Sequence, residues 1–137
     1  DTVKLKELLS YILTSTLDSY KFENQNIIAV VEGHNIEISS TQAITVALIA
    51  NEVISNSMKH GIKNDESGEI RINITESDGL ISMEFYDSGK NELHYDSNDE
   101  NKLGLQIVKA LSMEQLGGSF MISRVNGETK AEVVFTK

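Results

Sequence analysis

Asn51-Glu52-Val53-Ile54-Ser55-Asn56-Ser57-Met58-Lys59-His60 sets a carboxylate, amides, an ammonium and an imidazole within ten residues. The surrounding stretch, Ala43 to Ile62, has no Pro, no Gly before Gly61, and apolar residues at helical spacing. Read as a helix, it lines up Glu52, Asn56 and His60 at i, i+4 and i+8 with Lys59 beside them, because residues three or four apart are neighbours on a helix. Ile44, Val46, Ala47, Leu48, Ile49, Val53 and Ile54 make that helix apolar enough to be largely buried. Polar groups inside such a helix are costly without partners. An acceptor, an amide carbonyl and a cation together suit a hydrated Mg2+ ion and a phosphate chain.

Two further segments carry compatible chemistry. Asp87-Ser88-Gly89 closes an apolar strand. A carboxylate there can accept from an exocyclic amine, and Gly89 lets a flat ring approach the backbone. Lys102-Leu103-Gly104-Leu105-Gln106-Ile107-Val108 runs from a polar loop into a helix. The free N–H groups and partial positive charge of a helix N-terminus are a natural seat for phosphate. Each motif also has a plain reading taken singly: a turn, a helix start that needed a small residue, a half-exposed helix. Their occurrence together, in one order, is what gives them weight. His34 and His94 have no carboxylate or Ser partner at suggestive spacing and receive no role.

These residues need a scaffold. A chain of 137 residues is enough for one domain with its own core, spanning 1–137. The spacing predicts a helix over residues 3–19 and two short strands, Ile27–Val31 and Asn35–Ile38, turned at Glu32-Gly33-His34. Ser39, Ser40 or Thr41 is the expected N-cap of the polar-striped helix. Strict alternation in Ile70, Ile72, Ile74 and again in Ile81, Met83, Phe85, around Asp78-Gly79, is the strongest hairpin signal. Ser88 to Lys102 is a polar run expected to be a mobile lid. A helix from Leu103 to Leu116 should follow, buried through Leu105, Val108, Leu111 and Leu116, then two strands around Asn126-Gly127. This order implies an α+β two-layer sandwich, with helices on one face of a mixed sheet.

Composition excludes several classes. A net charge of −9 lacks the basic footprint of a nucleic-acid-binding protein. No stretch approaches the roughly 20 apolar residues of a membrane span. The absence of Cys removes disulfides and thiolate metal sites. The chain begins at Asp1 with no initiator Met and no signal-like segment, which suggests a piece of a longer protein.

Across roughly Leu8 to Phe135 the chain resembles the catalytic, ATP-binding domain of sensor histidine kinases, in the gyrase/histidine-kinase/MutL-type ATPase superfamily. The segment 51–60 resembles the family's N-box, Asp87-Ser88-Gly89 its first Gly box, and Leu103-Gly104-Leu105-Gln106-Ile107-Val108 its second. The Asn-Glu-x-x-x-Asn-x-x-Lys-His form and the tail Glu114-Gln115-Leu116-Gly117-Gly118 are closest to the subfamily with a His-Arg-x-x-Asn-type phosphoacceptor motif. The resemblance implies a Bergerat-type ATP-binding fold with ATP and Mg2+ as cofactors. It implies that Asn56 is the Mg2+ ligand and Glu52 the carboxylate that orients or deprotonates the attacking group. Lys59 would meet the phosphates and His60 the nucleotide. Asp87, with Gly89, would accept from the adenine amine, and Leu103, Gly104 and Leu105 would cradle phosphate. Thr129 would place a hydroxyl near the nucleotide.

Two positions depart from that pattern: Asn91 replaces the usual second Gly of the first box, and Lys102 replaces a small residue before Leu103. No phosphoacceptor histidine motif is present. The expectation is therefore a protein-histidine kinase catalytic domain of two-component signalling. A cytoplasmic domain, it would donate the γ-phosphoryl to a dimerisation/phosphoacceptor helical domain of the same homodimeric parent protein, whose membrane attachment stays open, with a response regulator downstream and no nucleic acid. A nucleotide-binding pseudokinase and an anti-sigma-type serine kinase are the alternatives on the same fold.

Overall fold

The computed structural model describes residues 1–62, 67–90 and 99–137, the side chains of 99–102 excepted. Strand β1 (Thr2–Lys4) leads into helix α1 (Leu5–Tyr20), followed by β2 (Asn26–Gly33), β3 (Glu37–Ser39) and helix α2 (Ser40–Asn56). A π-helical turn over Ser57–Ile62 extends α2. Then come β4 (Ser67–Ser77), β5 (Leu80–Asp87), helix α3 (Asp99–Ala110) with a second π-helical turn over Leu111–Gln115, β6 (Ser119–Val125) and β7 (Glu128–Thr136). The main sheet has the order β2-β4-β5-β7-β6, with β2 parallel to β4 and the other pairs antiparallel. It is the mixed sheet, helices on one face, that the sequence implies.

The alternation read from the sequence is the sheet's inward face. Ile70, Ile72, Ile74, Ile81, Met83, Phe85, Ala131, Val133 and Phe135 are buried against Leu9, Leu13, Val46, Ile49, Val53 and Ile54 of the helices. Each large apolar side chain so buried contributes about 1.5–3 kcal/mol of transfer free energy. Asp78-Gly79 and Asn126-Gly127 all have positive φ, the two-residue turn that matches strand twist. Ser39 caps α2 in a reciprocal box: its Oγ accepts from the Gln42 amide, and Gln42 Oε1 accepts from the Ser39 amide.

The outward face is a charge network. Lys130 pairs with Glu84 at 2.9 Å and Arg71 with Glu128 at 3.2 Å, while the Arg71 guanidinium lies 4.1 Å from the Tyr86 ring centroid. Partial burial pulls the Glu84 carboxyl upward. The hydrogen bonds and charge of Lys130, with the Asn73 and Tyr86 contacts, outweigh it and hold the group below its ordinary pKa.

Three expectations change. β2 and β3 do not form a hairpin: β2 pairs with β4, while β3 pairs with β1 in a separate two-stranded sheet, Val3 opposite Ile38. Gly33 is a point of close approach, with φ +104° and a backbone so near β4 that a Cβ would overlap the Ile74 carbonyl. A glycine of that kind and a turn glycine look alike in sequence. The first helix accordingly starts at Leu5, because Thr2–Lys4 are drawn into β1. The third helix starts at Asp99, four residues before Leu103, and ends its α winding at Ala110. Residues 99–102 are thus helical, and residues 91–98 of the expected lid, with Asn91 and His94, lie outside the described residues.

Candidate functional site

The site grows from the end of α2. Ser55, Asn56, Ser57 and Met58 are all buried, so this end of the helix is enclosed on every side. An α-helix would continue the Glu52–Asn56–His60 stripe, but winding widens to π over Ser57–Ile62. The wider turn shifts Lys59 and His60 around the axis relative to Asn56, so the expected Glu52–Asn56–His60 row, with Lys59 beside it, is not continued in regular α spacing. Single π turns of this sort recur where a helix must aim polar groups. Lys59 Nζ lies 5.4 Å from the Tyr20 ring centroid at the end of α1. One turn before Asn56, the amide oxygen of Asn51 accepts from Thr16 Oγ at 3.4 Å.

The π turn faces the last residue of β5. Asp87, 2 % exposed, accepts from Ser57 Oγ at 2.7 Å through Oδ2 and from the Gly89 amide at 3.0 Å through Oδ1. A Cβ on Gly61 would sit 3.0 Å from Asp87 Oδ1, and one on Gly89 would overlap the Gly61 carbonyl. The two glycines therefore let the turn and the strand end meet backbone to backbone. Asp87 also belongs to a rung of the sheet, since Ile70, Asp87, Thr129 and Arg124 are successive register partners across β4, β5, β7 and β6. Thr129 is 2 % exposed beside Asp87. Its Oγ accepts from Arg124 Nη1 at 2.7 Å.

The other end of the site lies about 7–8 Å back along α2, five residues at 1.5 Å each, at Glu52. There α3 crosses close: a Cβ on Gly104 would stand 3.0 Å from Glu52 Oε2. Gly104 is buried, Leu103 is exposed and Leu105 half-buried. Because α3 begins at Asp99, Leu103–Leu105 occupy its second turn and the helix's free amides belong to residues 99–102.

A sequence profile described as the histidine kinase-like ATPase domain matches residues 23–135. The chain belongs to that family. Among solved structures, this histidine kinase-like ATPase domain is similar to the histidine kinase domain of the Erythrobacter litoralis EL346 blue-light activated histidine kinase. The TM-score is 0.80 at 20 % identity, over 98 % of this chain and 61 % of that one. The catalytic domain of histidine kinase ThkA gives TM-score 0.77 at 13 % identity over 100 % and 96 % of the two chains. The mycobacterial sensor histidine kinase MprB gives 0.76 at 15 % identity over 99 % and 97 %. At such identities the likeness is one of fold. The chain spans 61 % of the EL346 kinase domain and 45 % of the longer EL346 chain. No curated protein matches it.

Within this ATPase domain the structure brings Asp87, Gly89 and Thr129 together at the C-terminal end of α2, and Glu52 and Gly104 together about one turn back along it, with Asn56 between. The Lys102 side chain lies outside the described residues. Sequence reasoning passed over Ser57, Gly61 and Arg124. Ser57 and Gly61 sat inside or beside the motif with no signal of which neighbour they would meet, and Gly61 reads equally well as a helix end. Arg124 did carry a signal: it is one of only two arginines in the chain and stands two residues before a hairpin turn.

Asn56 tests whether the site suits a phosphate and a divalent cation. The residue is 3 % exposed and its amide nitrogen has no hydrogen-bond partner among the described residues. A buried donor left this way costs about 1–3 kcal/mol. A phosphate oxygen would satisfy the nitrogen, leaving the amide oxygen for a cation, so the donor set fits. Among the described residues no three His, Cys, Asp or Glu side chains cluster as a metal cage. Among the described residues, no helix is long and apolar enough to cross a membrane.

Proposed function

We propose that this domain binds Mg·ATP between Asp87 and Glu52 and donates the γ-phosphoryl to a histidine on a dimerisation/phosphoacceptor helical domain of its parent protein, from which a response regulator is served. The observation that carries the reading is the buried amide nitrogen of Asn56, without a hydrogen-bond partner among the described residues, between the polar Asp87 end and the acidic Glu52 end where α3 crosses. Asp87, already oriented by Ser57 and Gly89, takes the exocyclic amine through its remaining lone pairs. Thr129, next to it on the rung, addresses the adjoining ring nitrogen. Asn56 and Lys59 meet the phosphates, and His60 borders the nucleotide. Leu103–Leu105 and Lys102 line the phosphate side, and Glu52 orients the incoming imidazole or accepts its proton. Mg2+ neutralises phosphate charge, which is the greater part of what phosphoryl transfer asks of a protein along with positioning.

Titration calorimetry with ATP tests it, with Mg2+ and with EDTA. Binding should weaken markedly in EDTA, and Asn56→Ala should weaken Mg·ATP binding while shifting the thermal midpoint by no more than a few degrees, since functional polar groups seldom stabilise the fold. Equal ATP affinity with and without the cation removes Asn56 from the metal role; no ATP binding at all refutes the nucleotide reading.

A further inference from the structure

Arg124 is an exposed-strand arginine whose three hydrogen bonds among the described residues all go to neutral backbone or hydroxyl oxygens. Nη1 donates to Thr129 Oγ at 2.7 Å and to the Gly89 carbonyl at 3.0 Å, and Nη2 donates to the Gly127 carbonyl at 2.8 Å. One planar fork thus ties together β6, the β6–β7 turn, the buried hydroxyl of β7 and the segment leaving β5. A surface arginine gains little from such bonds when water is at hand, so the geometry points to a job at their far end.

The job lies in the Thr129 hydroxyl. A hydroxyl has one proton and two acceptor sites, and its proton rotates to suit its surroundings. With a guanidinium N–H occupying one acceptor site, the proton cannot point at Arg124. It turns away from Arg124, to the side on which Asp87 is the register neighbour and a base held by Asp87 would present its ring nitrogen. Donation from a cation also polarises the hydroxyl and strengthens it as a donor. The bond to the Gly89 carbonyl holds the loop whose amide fixes Asp87 Oδ1. Asp87 is thereby set as acceptor and Thr129 as donor, side by side. That pair complements the adenine edge, where the amine donates and N1 accepts, and opposes guanine or hypoxanthine, where the carbonyl accepts and N1–H donates.

Resting on the nucleotide reading above, we propose that Arg124 is a positioning residue for base specificity: by fixing the Thr129 proton and the Gly89 carbonyl, it makes the site select a purine with an amine beside an unprotonated ring nitrogen. A lysine has no planar fork and cannot reach the three oxygens in this arrangement.

The test titrates the domain, with Mg2+, against ATP and against 1-deaza-ATP, which keeps the amine but lacks the N1 acceptor. Wild type should favour ATP. In Arg124→Gln and Arg124→Lys the ATP affinity should fall about fivefold to tenfold, roughly one hydrogen bond, with 1-deaza-ATP affinity nearly unchanged. The ratio between the two ligands therefore collapses toward one. Thr129→Val should collapse it alike, and adding Arg124→Gln to that variant should change the ratio no further, the signature of two residues acting as one unit. A merely structural arginine lowers the thermal midpoint and weakens both ligands in parallel. Parallel weakening, a ratio preserved in both Arg124 variants, additive effects in the double variant, or failure of both to fold would overturn the proposal. Wild type that binds both ligands alike overturns it too, whereas wild type that binds neither refutes the nucleotide reading instead.

Discussion

Replacing Asp87 with Asn exchanges one carboxylate oxygen for an NH2 at one of the two most enclosed polar side chains of the site, and the structure says how much should be lost. The carboxylate accepts from Ser57 Oγ at 2.7 Å and from the Gly89 amide at 3.0 Å. An Asn side chain has only one acceptor atom. If its oxygen keeps the Gly89 amide, its nitrogen faces Ser57, whose single hydroxyl proton has a second acceptor, the Val53 carbonyl at 3.2 Å. Ser57 can turn that proton to Val53 and accept from the Asn nitrogen. Both bonds survive with one reversed, so the fold loses only the charge-assisted increment, about 1 kcal/mol, the difference between bonds to charged and to neutral groups. The ligand fares worse. The amide oxygen is shared with Gly89 and uncharged, and the nitrogen is a donor facing a donor amine if the group flips. A loss of about 1.5 kcal/mol, somewhat over tenfold in affinity, is expected for ATP.

Calorimetric titration of ATP, GTP and tripolyphosphate against wild type and Asp87→Asn, alongside thermal melts, separates these terms. Tripolyphosphate has no base and should bind both proteins alike, while the ATP-over-GTP preference narrows. In Ser57→Ala the rearrangement has no partner, so adding Asp87→Asn there should cost more stability than in wild type. Unchanged ATP preference, or tripolyphosphate weakening in step with ATP, would refute the adenine assignment. A large stability loss in Asp87→Asn with Ser57 intact would refute the reversal.

Gly89→Ala should lower stability by about 1–3 kcal/mol, a midpoint drop of several degrees, since its Cβ would overlap the Gly61 backbone and one of the two chains must move; a melt within a degree of wild type would show that the contact yields freely. The Glu84–Lys130 pair predicts a pH dependence. Glu84 is held below its ordinary pKa, so its contribution is present above about pH 4.3, the unfolded glutamate value, and is lost as pH falls through the lower folded value. Lys130 is raised, first by its hydrogen bond to Glu84, so its part is full below about pH 10.4 and lost as pH rises through the folded value. Glu84→Gln should flatten the acid limb of midpoint against pH; an unchanged limb counts against the pair.

What the sequence made legible was set by period and what it hid was set by partners. The alternation of Ile70, Ile72, Ile74 and Ile81, Met83, Phe85, with Asp78-Gly79 between, admits one reading, and the structure has that hairpin in that register, Ile72 opposite Phe85. The capping serine and the helix through Glu52 and Asn56 were legible for the same local reason. Pairing between distant strands leaves no such trace. Gly33 could have turned a hairpin, and only the presence of β4 alongside makes it a contact point. Likewise the π winding after Asn56 has no local signature, because it is imposed by the burial of Ser55 to Met58 on all sides and by the meeting of Gly61 with Gly89.

That contrast bears on how the site works. The Asp87 end is built on a rung of four strands whose register is fixed by the core residues beside it, Ile70 among them, and by two glycines that admit no side chain. Slipping any strand by one residue would turn Asp87 or Thr129 to the opposite face, so the groups proposed to discriminate a base stand where the fold tolerates least displacement. The Glu52 end rests instead on one helix crossing at Gly104, of α2 with α3, which carries exposed Leu103 and Ile107. Helices pack through side chains that can slide by small steps, whereas a hydrogen-bonded ladder moves only by whole residues. Under the proposed function, recognition on the ladder and reaction at the crossing would let the phosphate side adjust to an incoming imidazole without loosening the grip on the base.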